Sequence, residues 1–272
     1  LHLKPGQLAD TVILVGDPGR VEQVAAYFDS VECRAENREF VAVTGECFGK
    51  RMTVQSTGIG TDNIDIVVNE LDALANIDFE TRTEKAEKTR LTLVRLGTCG
   101  GIQPELRIGD LVLSRISAGF DGLLNFYKGR NAVCDLEMEQ DFVEHTGWSR
   151  LLTAPYFVRC SDYLAELFAP DTVEGMTASA PGFYAPQGRY LRLAPADRRL
   201  NEKIESFEYG GHRFTNFEME GSALAGLSRL MGHDAVTICT VIAQRVALES
   251  DTDYRPFVDK MIATCLEKLA GI

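Results

Sequence analysis

The chain has 272 residues, 45% hydrophobic and 25% charged, which suits one large α/β domain or two smaller ones. Its net charge of −12 argues against nucleic acid, whose binding needs clustered Lys and Arg to displace counterions. No run approaches the roughly 18–20 apolar residues that span a bilayer, so no membrane segment is expected.

In chain order, TVILV at 11–15 reads as a buried strand that enters a helix over 20–28 through the Gly16-Asp17-Pro18-Gly19 turn. Residues 39–45 and 50–56, with Gly49 between them, read as a hairpin. A helix follows over 64–74. The segment 78–90, DFETRTEKAEKTR, is almost wholly polar and reads as a solvated loop or helix extension. Strands are expected at 91–97, 110–114, 176–180 and 235–242, and helices at 196–208, 219–231 and 254–270. The alternation predicts a single α/β domain over 1–272, with a mixed central β-sheet flanked by helices in three layers. The hairpin excludes an all-parallel sheet.

Cys33, Cys47, Cys99, Cys134, Cys160, Cys239 and Cys265 are scattered without a C-x-x-C pair, and the four histidines lack metal-ligand spacing. Neither a disulfide framework nor a dedicated metal site is expected, and a cytoplasmic location is.

Four arginines stand out against this acidic background. Arg20 opens a helix after Gly-Asp-Pro-Gly, where free N–H groups and the positive end of the dipole favour an anion. Arg95 begins Arg95-Leu96-Gly97-Thr98-Cys99-Gly100-Gly101, which reads as a strand ending in a flexible turn, with Thr98 adding a hydroxyl donor. Arg38 lies in Asn37-Arg38-Glu39-Phe40, and Arg189 closes Phe183-Tyr184-Ala185-Pro186-Gln187-Gly188-Arg189. That last loop offers a flat heterocycle a ring to stack on and an amide and guanidinium for its edge. Ser56-Thr57-Gly58-Ile59-Gly60 is a further glycine turn, weak as evidence alone. Glu218-Met219-Glu220 places two carboxylates at a helix start, either as complements to the dipole or as acceptors for a vicinal diol. The set points to a small anionic reactant.

Taken in order from His2 to Arg245, these motifs resemble the nucleoside phosphorylase family with the phosphorylase/hydrolase fold, and its uridine phosphorylase branch in particular. The resemblance implies that Gly16, Arg20, Arg95 and Thr98 bind phosphate, joined by Arg38 reaching the neighbouring subunit's site. His2 would likewise cross to the neighbour's ribose, which Met219 and Glu220 hold. Phe183, Gln187 and Arg189 would grip the base, with Ile242 and Arg245 beside them. The catalytic load would fall on Arg95, Gln187, Arg189 and Glu220. Purine-acting relatives carry a Ser-Asp pair where this chain has Gln244-Arg245, so the missing carboxylate favours uridine; a purine phosphorylase or a non-catalytic nucleoside-binding protein is the alternative. Phosphate would be a co-substrate with no organic cofactor, and a monovalent cation near Glu39, Ile59 and Asn63 is allowed. Shared sites would require a homo-oligomer, at least a dimer. Removing Arg95 is expected to raise the phosphate requirement or abolish turnover while leaving the fold intact.

Overall fold

The computed structural model describes residues 1–245, 249–250 and 253–272. The chain runs β1 (Thr11–Val15), α1 (Pro18–Ala25), β2 (Ser30–Asn37), β3 (Phe40–Cys47), β4 (Lys50–Ser56), α2 (Thr61–Asn76), β5 (Ile77–Asp78) and β6 (Thr83–Glu84). Next come β7 (Thr92–Gly101), β8 (Leu111–Gly119), α3 (Leu136–Thr146), β9 (Tyr156–Arg159), α4 (Asp162–Phe168) and β10 (Val173–Ser179). Last are α5 (Leu200–Glu205), β11 (Glu208–Tyr209), β12 (His212–Glu218), α6 (Gly221–Met231), β13 (Asp234–Gln244), β14 (Glu249–Ser250) and α7 (Arg255–Ala270).

The large sheet has the order β11-β12-β10-β8-β13-β7-β1-β4-β3-β2, with β9 on β8 and β14 on β13. It is mixed: β1 runs parallel to β4 and β7, whereas β3–β4 and β8–β13 are antiparallel. One extra pairing shapes everything that follows. β12 also meets β7 antiparallel, Asn216 opposite Gly101 and Phe217 opposite Gly100, so β7, β13, β8, β10 and β12 close on one another.

The three layers follow from the alternation of side chains along buried strands. In β1, Ile13 and Val15 pack into one core with α1, α4 and α7, while Val12 and Leu14 pack into another with α2 and α6. β7 divides likewise, Val94 and Leu96 toward the first core and Leu93 toward the second. Both faces of these strands are covered, which explains why they read as continuous apolar runs.

Several expected boundaries change. The strand beginning near 91 does not end in a turn after Gly97; it runs to Gly101, because β13 pairs with it through Gln244 and β12 crosses its end. The helix expected from 219 begins at Gly221, because the Glu218 carboxylate accepts from the backbone N–H of Glu220 and of Gly221 (2.9 and 2.8 Å). The helix expected over 196–208 shortens to Leu200–Glu205, entered by a turn in which Asp197 accepts from the Arg199 N–H (2.8 Å). α1 starts earlier than expected, at Pro18, since proline suits a first helical position and Asp17 caps the end by accepting from the Gly19 N–H (2.8 Å).

The polar segment after α2 is neither a plain loop nor a helix extension. It folds back as the β5–β6 hairpin, and buried Asn76 ties down its far end, accepting from the Thr89 N–H (2.7 Å) and donating to the Thr89 carbonyl (3.1 Å). The edge strand β2 escaped the sequence reading because its exposed and half-buried residues carry no apolar run.

Candidate active site

The carboxyl ends of β1, β4, β7, β12 and β13 and the loop after β10 open on one cleft of about 740 Å³. Clefts outside the carboxyl ends of strands are where α/β sheets bind ligands. It is lined, among the described residues, by Gly16, Arg20, Arg95, Thr98, Phe183, Gln187, Arg189, Met219, Glu220 and Ile242, so ten of the sequence-predicted site residues meet there.

At one end the β1 and β4 turns lie together. Thr57 N–H donates to the Val15 carbonyl (2.7 Å), and a side chain at Gly16 would rest 3.4 Å from the Gly58 carbonyl oxygen. Arg20 enters from the first turn of α1, is buried, and donates through Nη1 to the Leu96 carbonyl (3.3 Å). Burial, and then the charge of Arg95, lower its pKa. Gly60 stands at φ 98°, a conformation that favours glycine, and its N–H donates to Glu220 Oε1 at 2.6 Å. The Ser56–Gly60 loop, a weak signal in the sequence, is thus joined to the Glu218–Glu220 turn from the far side of the sheet.

Arg95 is the hub. Its Nη2 pairs with Glu220, its Nη1 lies 3.1 Å from Glu218 Oε2, and Nη1 also donates to Cys239 Sγ at 3.5 Å. All three ionic side chains are dry: Arg95 is 4%, Glu218 1% and Glu220 6% exposed. Burial pulls the arginine's pKa down, but Glu220 and Glu218 outweigh it, and the guanidinium stays charged. Burial and the like charge of Glu218 hold the Glu220 carboxyl above the ordinary range, against the pull of Arg95. Glu218 is saturated, since it also accepts from Ser179 Oγ and from the two backbone N–H groups that open α6. Gly97 is a requirement of this packing: a Cβ there would lie 2.5 Å from Arg95 Nη1 and 2.9 Å from Cys239 Sγ.

The other end is built differently. Arg189 lies over the Phe183 ring, 4.1 Å from ring centre to guanidinium carbon, and donates to the Phe183 carbonyl (3.1 Å) and to Gln187 Oε1. Arg245 lies over the Phe217 ring at 4.8 Å and donates to the Gln187 carbonyl, so it sits behind the loop and does not line the cleft. Both flank Gly100, where a Cβ would come within 3.1 Å of Arg245 Cδ and 3.6 Å of Arg189 Nη2. Neither has an ion-pair partner among the described residues. Burial, and then the charge of Arg189, lower the Arg245 pKa to about 10; burial alone lowers that of Arg189. Asn201 braces the loop from α5, donating through Nδ2 to the Gln187 carbonyl at 3.0 Å.

His2 and Arg38 do not reach the cleft of their own chain. Both are exposed and left-handed, at φ 61° and 57°, and they lie close together because His2 Nδ1 contacts the Glu36 carbonyl at 3.1 Å. Glu39, Ile59 and Asn63 do line the cleft, and the Asn63 amide nitrogen faces the Ile59 carbonyl at 3.4 Å. The sequence reading singled out the pair of carboxylates at 218 and 220 but not their ion pair with Arg95. No local pattern assigns a site role to Phe217, Cys239, Ser179 or Asn201, for each acts through a partner elsewhere along the chain.

A model of the phosphorylase superfamily matches residues 10–272. The chain belongs to the phosphorylase superfamily. It is 32% identical over 254 residues to a uridine phosphorylase of Thermococcus kodakarensis, covering 90% of this chain and 77% of that one. It is also 38% identical over 237 residues to a DeoD-type purine nucleoside phosphorylase of Bacillus subtilis, covering 87% and 82%. Among solved structures, a Trypanosoma brucei nucleoside phosphorylase described as showing uridine phosphorylase activity superposes with a TM-score of 0.88 at 29% identity, covering 100% and 97%.

Proposed function

We propose that this chain is a uridine phosphorylase, converting uridine and phosphate reversibly to uracil and ribose 1-phosphate. Relatives of both base specificities resemble it to similar degrees, so overall identity cannot choose between them. What supports uridine is the base end of the cleft: Gln187 with two guanidiniums that no described carboxylate neutralises, and Gln244-Arg245 where an acid would have to stand.

As the glycosidic bond stretches, positive charge builds on the ribose and negative charge on the departing base. A purine leaves most easily when an acid protonates its ring nitrogen. Uracil can leave as an anion if fixed donors meet it, which is oxyanion stabilisation applied to a heterocycle. Gln187 and Arg189 are the donors in this reading; Arg245 holds the Gln187 backbone and adds field, and Phe183 and Ile242 bound the ring. Phosphate lies at the opposite end, on the Gly16 backbone, Arg20, Arg95 and Thr98, with Arg38 of the partner subunit. Glu220 and Met219 hold the ribose between them, with His2 of the partner subunit at its edge. The oxygen of phosphate attacks C1′, the C1′–N1 bond breaks, and its electrons leave with uracil. Holding both reactants in line removes an entropic barrier on the order of 7–11 kcal/mol in well-oriented cases.

The exposed pair His2 and Arg38, idle in their own chain, supports a homodimer or a larger assembly with shared sites. A monovalent cation on the Glu39 carboxylate and Ile59 carbonyl belongs to the same proposal; Asn63 would contribute once its amide turned. Among the described residues no helix is long and apolar enough to cross a membrane, and a reducing compartment suits seven free cysteines. The deciding experiment is release of free base from a nucleoside panel with and without phosphate. Uracil release from uridine that depends on phosphate is expected; faster hypoxanthine release from inosine would replace this reading with a purine phosphorylase.

A further inference from the structure

A second cavity, of about 340 Å³, lies at the opposite ends of two elements that the cleft uses. α6 starts at the Glu220 turn and its last turn brings Ser228 and Arg229 to this cavity; β13 starts here at Asp234 and ends at the cleft. Nothing in the proposed reaction employs it.

Its charged groups are paired unequally. Asp234 is matched by Arg90, which lies 2.7 Å away through Nε and donates again through Nη2 at 2.8 Å, and it also accepts from Ser161 Oγ at 2.6 Å. Asp162 is matched by Arg115 at 3.1 Å. His233 is engaged by Leu91 N–H and by Asp72, both at 3.1 Å. Arg159 is paired only loosely, with Asp135 at 3.9 Å, and Arg229 forms no ion pair among the described residues. Arg229 donates through Nη1 to the Arg159 carbonyl (3.3 Å), which holds the two residues together at the rim. In a chain of net charge −12, one guanidinium without a described ion-pair partner beside another held only by a long ion pair leaves donors available to an anion at this cavity.

The second observation is independent of charge. Ser228 lines this cavity at 1% exposure, and its Oγ has no hydrogen-bond partner. A hydroxyl on a helix ordinarily satisfies itself on the preceding turn, and a buried one left unpaired costs about 1–3 kcal/mol. Tyr163, half exposed, adds an aromatic face beside the arginines.

We propose that this cavity binds the phosphate group of a small phosphomonoester, with Arg159 and Arg229 taking its anionic oxygens and Ser228 Oγ donating to a third. Two guanidiniums and a hydroxyl match a tetrahedral dianion better than a planar carboxylate, because each fork engages a separate edge. The volume accommodates a sugar attached to that phosphate, and Tyr163 flanks it.

The test is calorimetric titration of the full chain with ribose 5-phosphate and, separately, with inorganic phosphate, on wild type and on Arg159→Ala/Arg229→Ala. Wild type is expected to bind ribose 5-phosphate at one site per chain beyond the cleft, and the double variant to lose that site or weaken it about tenfold or more, the loss of charge-assisted contacts. Nucleoside turnover should be unchanged in the variant, which shows that fold and cleft are intact. Equal affinity of inorganic phosphate for the site that the double variant loses would identify the free ion as the ligand; preference of that site for the ester would identify the sugar phosphate. Identical isotherms for wild type and the double variant, or no second site in wild type, overturn the proposal.

Discussion

The two ends of the cleft use the same side chain in opposite electrical states. Arg95, at the end proposed for phosphate, is buried against two carboxylates and bridges them. Arg189 and Arg245, at the end proposed for the base, lie on aromatic rings, bonded to carbonyl and amide oxygens, with each other's charge as neighbour. A neutralised guanidinium is a scaffold: it fixes geometry and adds little net field. An unneutralised pair is a store of positive potential, costly until negative charge arrives. The first suits an end where two reactants must be positioned, the second an end where charge develops.

The sharpest way to break this comparison is Arg95→Met. Since it leaves Glu218 and Glu220 buried without a counter-charge, it should cost about 3–5 kcal/mol of stability as well as phosphorolysis. This revises the expectation from sequence that the fold would survive untouched. Denaturant unfolding decides it; a loss below about 1 kcal/mol would show that Arg95 is not the scaffold described.

Arg189→Met should do the reverse. Turnover of uridine should fall about 100- to 1000-fold, the range for removing one donor to a developing anion. Stability should change by no more than about 1 kcal/mol, because no described carboxylate loses a partner. Steady-state kinetics and unfolding on one preparation separate the two, and equal damage to both would erase the distinction.

Gly97→Ala tests the scaffold without touching charge. A methyl 2.5 Å from Arg95 Nη1 must push it or Cys239 aside, costing about 1–3 kcal/mol, and should raise the phosphate KM more than the uridine KM. A uniform change in both would show that the strain does not reach the guanidinium.

The smallest effect is on pH. Glu220 has its pKa raised in the fold, so the native state holds this proton above the pH at which an unfolded glutamate releases it. Its contribution to stability is therefore greatest at low pH and declines as pH rises through that window, while a ribose-accepting carboxylate gains activity over the same range. Activity should fall on acidification before an ordinary carboxylate titrates, and Glu220→Gln should flatten that limb. An unchanged acidic limb in the variant would remove Glu220 from the profile.

Legibility from sequence followed locality. Arg20 and its helix start, the β3–β4 hairpin and the Phe183–Arg189 loop are set by residues adjacent in the chain: a proline and an Asx cap, a glycine turn, a short aromatic-amide-arginine run. Glycine, proline and apolar period impose their conformations on their neighbours, so such features are written where they occur. The β12 strand and the true course of β7 were not legible, because each depends on pairing with a segment far along the chain. The same holds for α3 and β9, whose Met138, Phe142 and Phe157 acquire meaning only within one aromatic cluster, and for α4, whose Leu164, Ala165 and Phe168 do so only in the core shared with α1 and α7.

The sequence by itself determined the inventory: an acidic chain, a mixed α/β plan, and arginines placed beside glycine turns with two carboxylates at 218 and 220. What each arginine does electrically was decided only by tertiary structure. β12 crosses the end of β7 and brings Glu218 and Glu220 onto Arg95, 125 residues from Glu220 in sequence, while among the described residues Arg189 and Arg245 gain no ion-pair partner. Burial then fixes the outcome, because in a dry site a nearby carboxylate or its absence sets the sign of the field, and composition carries no record of distance.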